Sequence, residues 1–515
     1  MSRARFLVLA TLVIGGAVAL QLPSLGVGFY ADDYVHQAVL EGTMAPDAPL
    51  APWDLYDFGR AEDWSGDSGL LTPMWWSSGD WQVRFFRPVA SVSIWLDHWL
   101  WGNRAWGYHL TSLAWYVVAL GIGLALLRAL RLPRPAALIA IALYGCTNGA
   151  TLPVGWIANR NTLLATTATL AAMLALIRLG PGKRLPAALA LAVLAVGCKE
   201  SGIVAFVLIA AWLAREAVQS TRASTPTVVG STIEPAGGEP GSSPRRLLAG
   251  AAVALGVAAV YLATIILAGA GTRCLFYATP WREPVAYLAN LWVLLTAGLL
   301  RLVVPISLDI VTMVPEARHV IPVVGLVLAW PVVYVIWRRA GAHPAAPLLG
   351  LWTVISLLVQ GGAPSSDRLI FQAAFGSAGL LGLLVHGELA APDRSRSRRL
   401  LAWTLLILAG PVSAAGSLVQ GTAIAGISRS LRRQVLAVDL GPPASGLVDA
   451  VLLQAADPML PFVLAPTWWG ETGREDVRFT ILQMGRRGLR WTRDDASTAT
   501  LRSTSSPFLT GLFES

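Results

Sequence analysis

Two adjacent acids, Asp32 and Asp33, stand in Gly28-Phe29-Tyr30-Ala31-Asp32-Asp33-Tyr34, about ten residues beyond the first apolar run of the chain. A carboxylate just outside a hydrocarbon layer can act in water as a general base on a substrate whose tail stays in lipid. The pair also suits a solvated loop start, since Asp favours turns. Cations and other polar groups recur at similar positions further along: Arg84 and Arg87 before Pro88, His109 in Gly107-Tyr108-His109, Asn159 and Arg160, Lys199 and Glu200, and Asp367 with Arg368. Each alone fits a helix-end charge or a side chain snorkelling to the interface. Together they describe a basic cavity around a carboxylate, which suits a phosphate-bearing lipid.

The elements that must position these groups follow from composition. The 515 residues are 55% hydrophobic and only 13% charged, with a mean hydropathy of +0.58. Repeated apolar runs are long enough to cross ~30 Å of hydrocarbon. The expected fold class is an all-α polytopic membrane protein. About eleven spans are predicted, at 6–22, 107–127, 135–152, 162–178, 185–198, 202–214, 247–270, 320–337, 345–361, 369–386 and 400–421. The net charge of +9 does not point to nucleic acid, because the basic residues gather in the short gaps between spans. The gaps assigned to the cytoplasm hold eighteen basic residues against five acids. The first apolar run also resembles a cleavable signal peptide, but it continues through Leu22 and the acidic pair follows closely, so it is read as an anchor.

Three segments need separate decisions. Residues 286–304 are apolar enough to cross, yet counting them would put Arg338 and Arg339 on the outer side, so they are read as a re-entrant or interfacial helix. Residues 185–214 are split into two short spans, which keeps Lys199 and Glu200 out of the bilayer centre. The Trp-rich stretch Pro88 to Gly102 is read as an interfacial helix within a first outer loop, 23–106. A Ser/Thr/Gly/Pro linker lies within 215–246, and the region from Ser220 to Pro244 is expected to be disordered. The membrane domain is thus 1–425. A small extracytoplasmic α+β domain is expected over 430–515, with strands near Val448–Leu453, Val477–Leu482 and Gly488–Arg493 and a helix starting near Asp457. Cys146, Cys198 and Cys274 are too few and too scattered for a disulfide framework or a CxxC metal site.

In this order the acidic pair, Phe86-Arg87-Pro88, Gly107-Tyr108-His109, the Trp156 to Leu164 segment, Lys199-Glu200 and Ser366-Asp367-Arg368-Leu369 resemble a known family. It is the polyprenyl-phosphate-sugar-dependent glycosyltransferases of the C-type fold, and within it the transmembrane part of the tetratricopeptide-containing protein O-mannosyltransferases and their bacterial relatives. The resemblance covers roughly residues 1–420. It implies inverting transfer of a sugar from a lipid phosphate to a hydroxyl acceptor outside the cytoplasmic membrane. It makes Asp32 the catalytic base, with Asp33 tuning it or positioning the acceptor. Arg87, Arg160, Lys199 and Arg368 become candidate phosphate contacts, and His109, Asn159 and Glu200 join them as substrate-binding candidates. The tetratricopeptide repeats are absent and the C-terminal domain differs, so the acceptor, a protein or a glycan, is not carried over. No cofactor is expected, since a phosphate leaving group needs only a base and an electrostatic clamp; a paired carboxylate could still hold a divalent ion. The rival class is a transporter or flippase for lipid-linked sugars, whose site would sit nearer the midplane. A non-catalytic scaffold is a third reading, for which the acidic pair would be dispensable.

Overall fold

The computed structural model describes residues 1–42, 51–60, 82–224, 243–273, 277–313, 317–391, 395–437, 441, 448–452, 460–474, 477–481, 489–493 and 499–503. Cys274, Arg394, the helix start near Asp457 and most of the linker lie outside them. In chain order the helices are α1 Arg3–Gln21, α2 Asp32–Glu41, α3 Pro88–Trp101, α4 Ala105–Ala129, α5 Arg134–Gly145, α6 Thr151–Gly155, α7 Arg160–Arg178, α8 Pro181–Cys198 and α9 Val204–Ser224. They continue with α10 Pro244–Leu267, α11 Pro284–Arg301, α12 Asp309–Met313, α13 Ala317–Ala340, α14 Ala346–Leu358, α15 Phe371–Ala390, α16 Arg396–Ile407, α17 Ser413–Leu436 and α18 Leu460–Thr472. The chain is a helical multi-pass membrane protein. Among the described residues ten helices are long and apolar enough to cross, or eleven if the bent pair α5 and Asn148–Gly155 is one span.

Two of the expected spans differ in length from the helices. The predicted span 345–361 is the shorter helix α14, thirteen residues long. The last expected span is part of a 41-residue helix, Arg396–Leu436, which runs past the predicted end of the membrane domain. A π turn over Leu408–Val412 absorbs Pro411, whose missing N–H cannot join the α ladder.

Lys199 separates α8 from α9, as two helices rather than one. The break is tight: a Cβ on Gly202 would stand 2.2 Å from the backbone of Ala195, so only glycine fits. Helix α11, which the sequence reading kept out of the spans, is among the helices long and apolar enough to cross. Tyr287 near its start donates to the Leu358 carbonyl at 2.9 Å, and Arg301 at its end pairs with Asp367 at 3.0 Å. Helix α13 then runs parallel to α15, with its terminal Arg339 on Glu388 at 2.8 Å.

The main core joins α1, α4, α5, α7, α9, α14 and α15, with Trp352, Tyr144 and Phe375 among its large buried side chains. A three-stranded antiparallel sheet lies at the Asp32 end, from β1 Asp57–Arg60, β2 Gln82–Arg84 and β3 Gly271–Arg273, with Val83 opposite Thr272. It ties the loop after α2 to the chain beyond α10. Over the expected C-terminal domain, β4 Val448–Leu452 and β5 Val477–Ile481 pair in parallel across α18, as a βαβ crossover requires. The hairpin of β6 Leu489–Arg493 and β7 Ala499–Ser503 adds a strand that the sequence pattern did not yield.

Candidate active site around Asp32

Helix α2 opens with the two acids, where the positive end of the helix dipole favours negative charge. The residue before it, Ala31, has φ 51° and ψ −121°, a strained backbone for a residue with a Cβ. The neighbours Asp32 and Asp33 point into different surroundings. Asp33 is 1% exposed and accepts from the backbone N–H of Ala158 at 2.7 Å and of Tyr30 at 3.0 Å. Burial pushes its carboxyl well up, opposed by those two donors. Asp32 is only half-buried and, among the described residues, has no side-chain hydrogen-bond partner. Burial raises its carboxyl too, while Arg368 and then Arg87 pull it down.

Arg368 lies over the Trp156 ring, 5.2 Å from its centroid. It makes no ion-pair contact among the described residues, but its field reaches Asp32 and also Asp309 on α12. Burial and the neighbouring Asp367 push the Asp309 carboxyl up. Lys199 donates to Thr162 Oγ1 at 2.9 Å, and Thr162 in turn donates to Asn159 Oδ1 at 3.1 Å. Burial, then Arg87 and Arg368, push the Lys199 ammonium down. An anion placed among these three cations would relieve that repulsion. Arg87 is sandwiched between the Phe85 and Tyr56 rings and paired with Glu200 at 2.8 Å.

Asp32, Arg87, Lys199, Glu200 and Arg368 therefore share one electrostatic neighbourhood. Arg160 and His109, two further candidates named with them, are buried and already bonded within the protein. Arg160 is 1% exposed and closed around Asp97 of α3 at 2.5 Å, with further bonds to Ser112 Oγ at 2.8 Å and the Tyr108 carbonyl at 2.6 Å. His109 is fully buried, its Nε2 on the Gly28 carbonyl at 3.0 Å, where it fastens the loop leading to α2. Glu200 serves Arg87 as counter-ion, and Asn159 supports Lys199 through Thr162. Asp367 is likewise occupied, by Arg301, Ser307 Oγ and the Leu308 N–H.

Sequence reasoning missed Asp97, because an acid inside a Trp-rich interfacial helix reads as surface charge until its partner is known. It also missed His36, one turn after Asp32. That ring is buried at 4.8 Å from Tyr56, and burial holds it down at about 3, so it backs α2 as a neutral group. Among the described residues no group of three or more His, Cys, Asp or Glu side chains is placed to hold a metal ion.

No protein-family profile and no curated relative matches this sequence. Among solved structures, the chain is similar to the apo oligosaccharyltransferase of Archaeoglobus fulgidus, with TM-score 0.49 and 12% identity over 91% of this chain. It spans 64% of the length of that protein. It is similar to AglB from the same organism in complex with an inhibitory peptide and a dolichol-phosphate, with TM-score 0.46 and 12% identity over 90% of this chain and 63% of that one. A third is ArnT from Cupriavidus metallidurans bound to undecaprenyl phosphate, with TM-score 0.45 and 12% identity over 95% of this chain and 93% of that one. What the site can do follows from its own residues.

Proposed function

We propose that this protein is an inverting membrane glycosyltransferase. It moves a sugar from a polyprenyl-phosphate donor to a hydroxyl acceptor on the outer side of the cytoplasmic membrane. The observation that carries the reading is the contrast at the start of α2: Asp33 is consumed by two backbone N–H groups, while Asp32 is half-buried, unpartnered by any described side chain, and faces Arg368 and Arg87. A carboxylate so placed can take a proton from a hydroxyl. The acceptor oxygen then attacks the anomeric carbon from the face opposite the lipid phosphate, which departs with the bonding electron pair. Arg368, Lys199 and Arg87 stabilise the charge that grows on the phosphate. Glu200 leaves Arg87 partly neutralised, so Arg368 and Lys199 supply most of the clamp.

The test is to incubate purified protein with a panel of polyprenyl-phosphate sugars and measure release of lipid phosphate with and without hydroxyl acceptors. Acceptor-dependent release, lost in Asp32→Asn, is expected. Tight donor binding with no release under any acceptor would return the chain to the transporter class.

A further inference from the structure

Helix α2 is held on one side by Ala158 and on the other by a residue far away in sequence. Tyr34 OH donates to Glu471 Oε1 at 2.9 Å, across 437 positions. The other oxygen of Glu471 pairs with Arg432 at 2.6 Å, on the last turns of the long helix α16 to α17. The approach is close: a Cβ on Gly470 would stand 3.0 Å from Tyr34 Cδ1. Burial and the Glu471 charge push the Tyr34 phenol up, so it stays a donor throughout the physiological range. Just before α2, Ser428 Oγ donates to the Val27 carbonyl, and Leu431 packs on the strained Ala31. Helices α17 and α18 thus grip both ends of the turn that presents Asp32.

We infer that Glu471 is a positioning residue: by joining Tyr34 to Arg432 it fixes α2 and sets where the Asp32 carboxylate points. The C-terminal module is then part of the reacting geometry rather than an appended cap. A two-residue offset puts the Tyr34 anchor on a different face of α2 from Asp32, so the latch can hold the helix without blocking the acid. The consequence for transfer rests on the glycosyltransferase reading; the consequence for the placement of residue 32 does not.

Two measurements on the full chain separate them. In a background with Cys146, Cys198 and Cys274 replaced by Ala, Asp32→Cys is modified with a water-soluble maleimide, with and without Glu471→Gln or Tyr34→Phe. A severalfold change of the modification rate by either variant is expected, in protein whose thermal melting shows it folded. With native Asp32, the same variants should lower kcat by about 10- to 100-fold with the donor KM unchanged, since a misplacement near 1 Å costs that much. The double variant should lose no more than the worse single one, because both act through one contact. An unchanged modification rate overturns the inference. A changed rate with unaltered kcat also overturns it, since the contact is then packing alone. If wild-type protein releases lipid phosphate from no donor, the transfer reading falls and the modification rate alone decides the placement. Gly470→Ala, which crowds Tyr34 while keeping every charge, should act in the same direction.

Discussion

Two kinds of charge cluster sit close together in this bundle and are built from the same residue types. In the closed kind, Arg160 with Asp97 and Arg301 with Asp367, all four groups are at most 3% exposed and further hydrogen bonds complete the cage. In the open kind, Asp32 feels Arg368 and Arg87, and Lys199 feels the same two cations, with no ion-pair contact of Asp32 or Arg368 among the described residues. Ionised groups leave water at a cost of several kcal/mol each, so a closed pair must satisfy itself, and it then has nothing left for a ligand. An open cluster holds charge that a substrate can complete. The difference teaches that residue type and order along the chain do not separate scaffold from site; the number of bonds already made does.

The comparison breaks first at Asp32. Asp32→Asn keeps the shape and removes the proton acceptor, so turnover should fall by about 10²- to 10⁴-fold with thermal stability and donor affinity nearly unchanged. Asp33→Asn should instead lower the melting temperature, because one of its two backbone donors, Ala158 or Tyr30, would meet an amide N–H in place of an oxygen. Near wild-type turnover in Asp32→Asn would reverse the assignment of open and closed within the acidic pair.

Breaking a closed pair should cost structure rather than turnover per folded molecule. Arg160→Gln strands Asp97, and Asp367→Asn strands Arg301; each should destabilise by about 3 to 5 kcal/mol. Thermal melting and the yield of monodisperse protein in detergent read this. A stable Arg160→Gln with a raised donor KM would move Arg160 back into the site.

The architecture was largely legible in the sequence because apolar runs of membrane length need no partner to be recognised. A helix over Pro88–Trp101 could be read from its apolar and Trp-rich pattern, and the split at Lys199 because a buried charge forces a boundary. What the sequence lacked was pairing. Arg160 and Arg368 look alike as cations at span ends, and Asp97, Arg301 and Glu471 supply the contacts that separate one from the other or fix α2. Those partners lie 63, 66 and 437 positions from the residues they hold, beyond any local pattern. Residues 286–304 were apolar in composition, and the helix they form, α11, is long and apolar enough to cross, so length and composition alone do not separate a re-entrant helix from a span.

Smaller effects should follow from the open cations. Arg368→Gln and Lys199→Gln each remove one charge-assisted contact, about 1.5 to 3 kcal/mol, so the donor KM should rise about ten- to a hundredfold while the melting temperature holds. An unchanged donor KM would return both to helix-end charges.

The smallest expected effect is a displacement along the pH axis, and it reports on Asp32 directly. Burial holds the Asp32 carboxyl above its usual 3.8, and Arg368 is the largest opposing influence, ahead of Arg87. A general base works when deprotonated, so kcat/KM should rise with pH through this group and fall as acid protonates it. Arg368→Gln removes a positive charge that favours the carboxylate, so the acid limb of kcat/KM should move to higher pH. Neutralising the exposed Arg104 should leave the limb where it is. The limb belongs to the free enzyme, so it is read at subsaturating donor, and a limb that stays put in Arg368→Gln would mean that the titrating base is not the carboxylate facing Arg368.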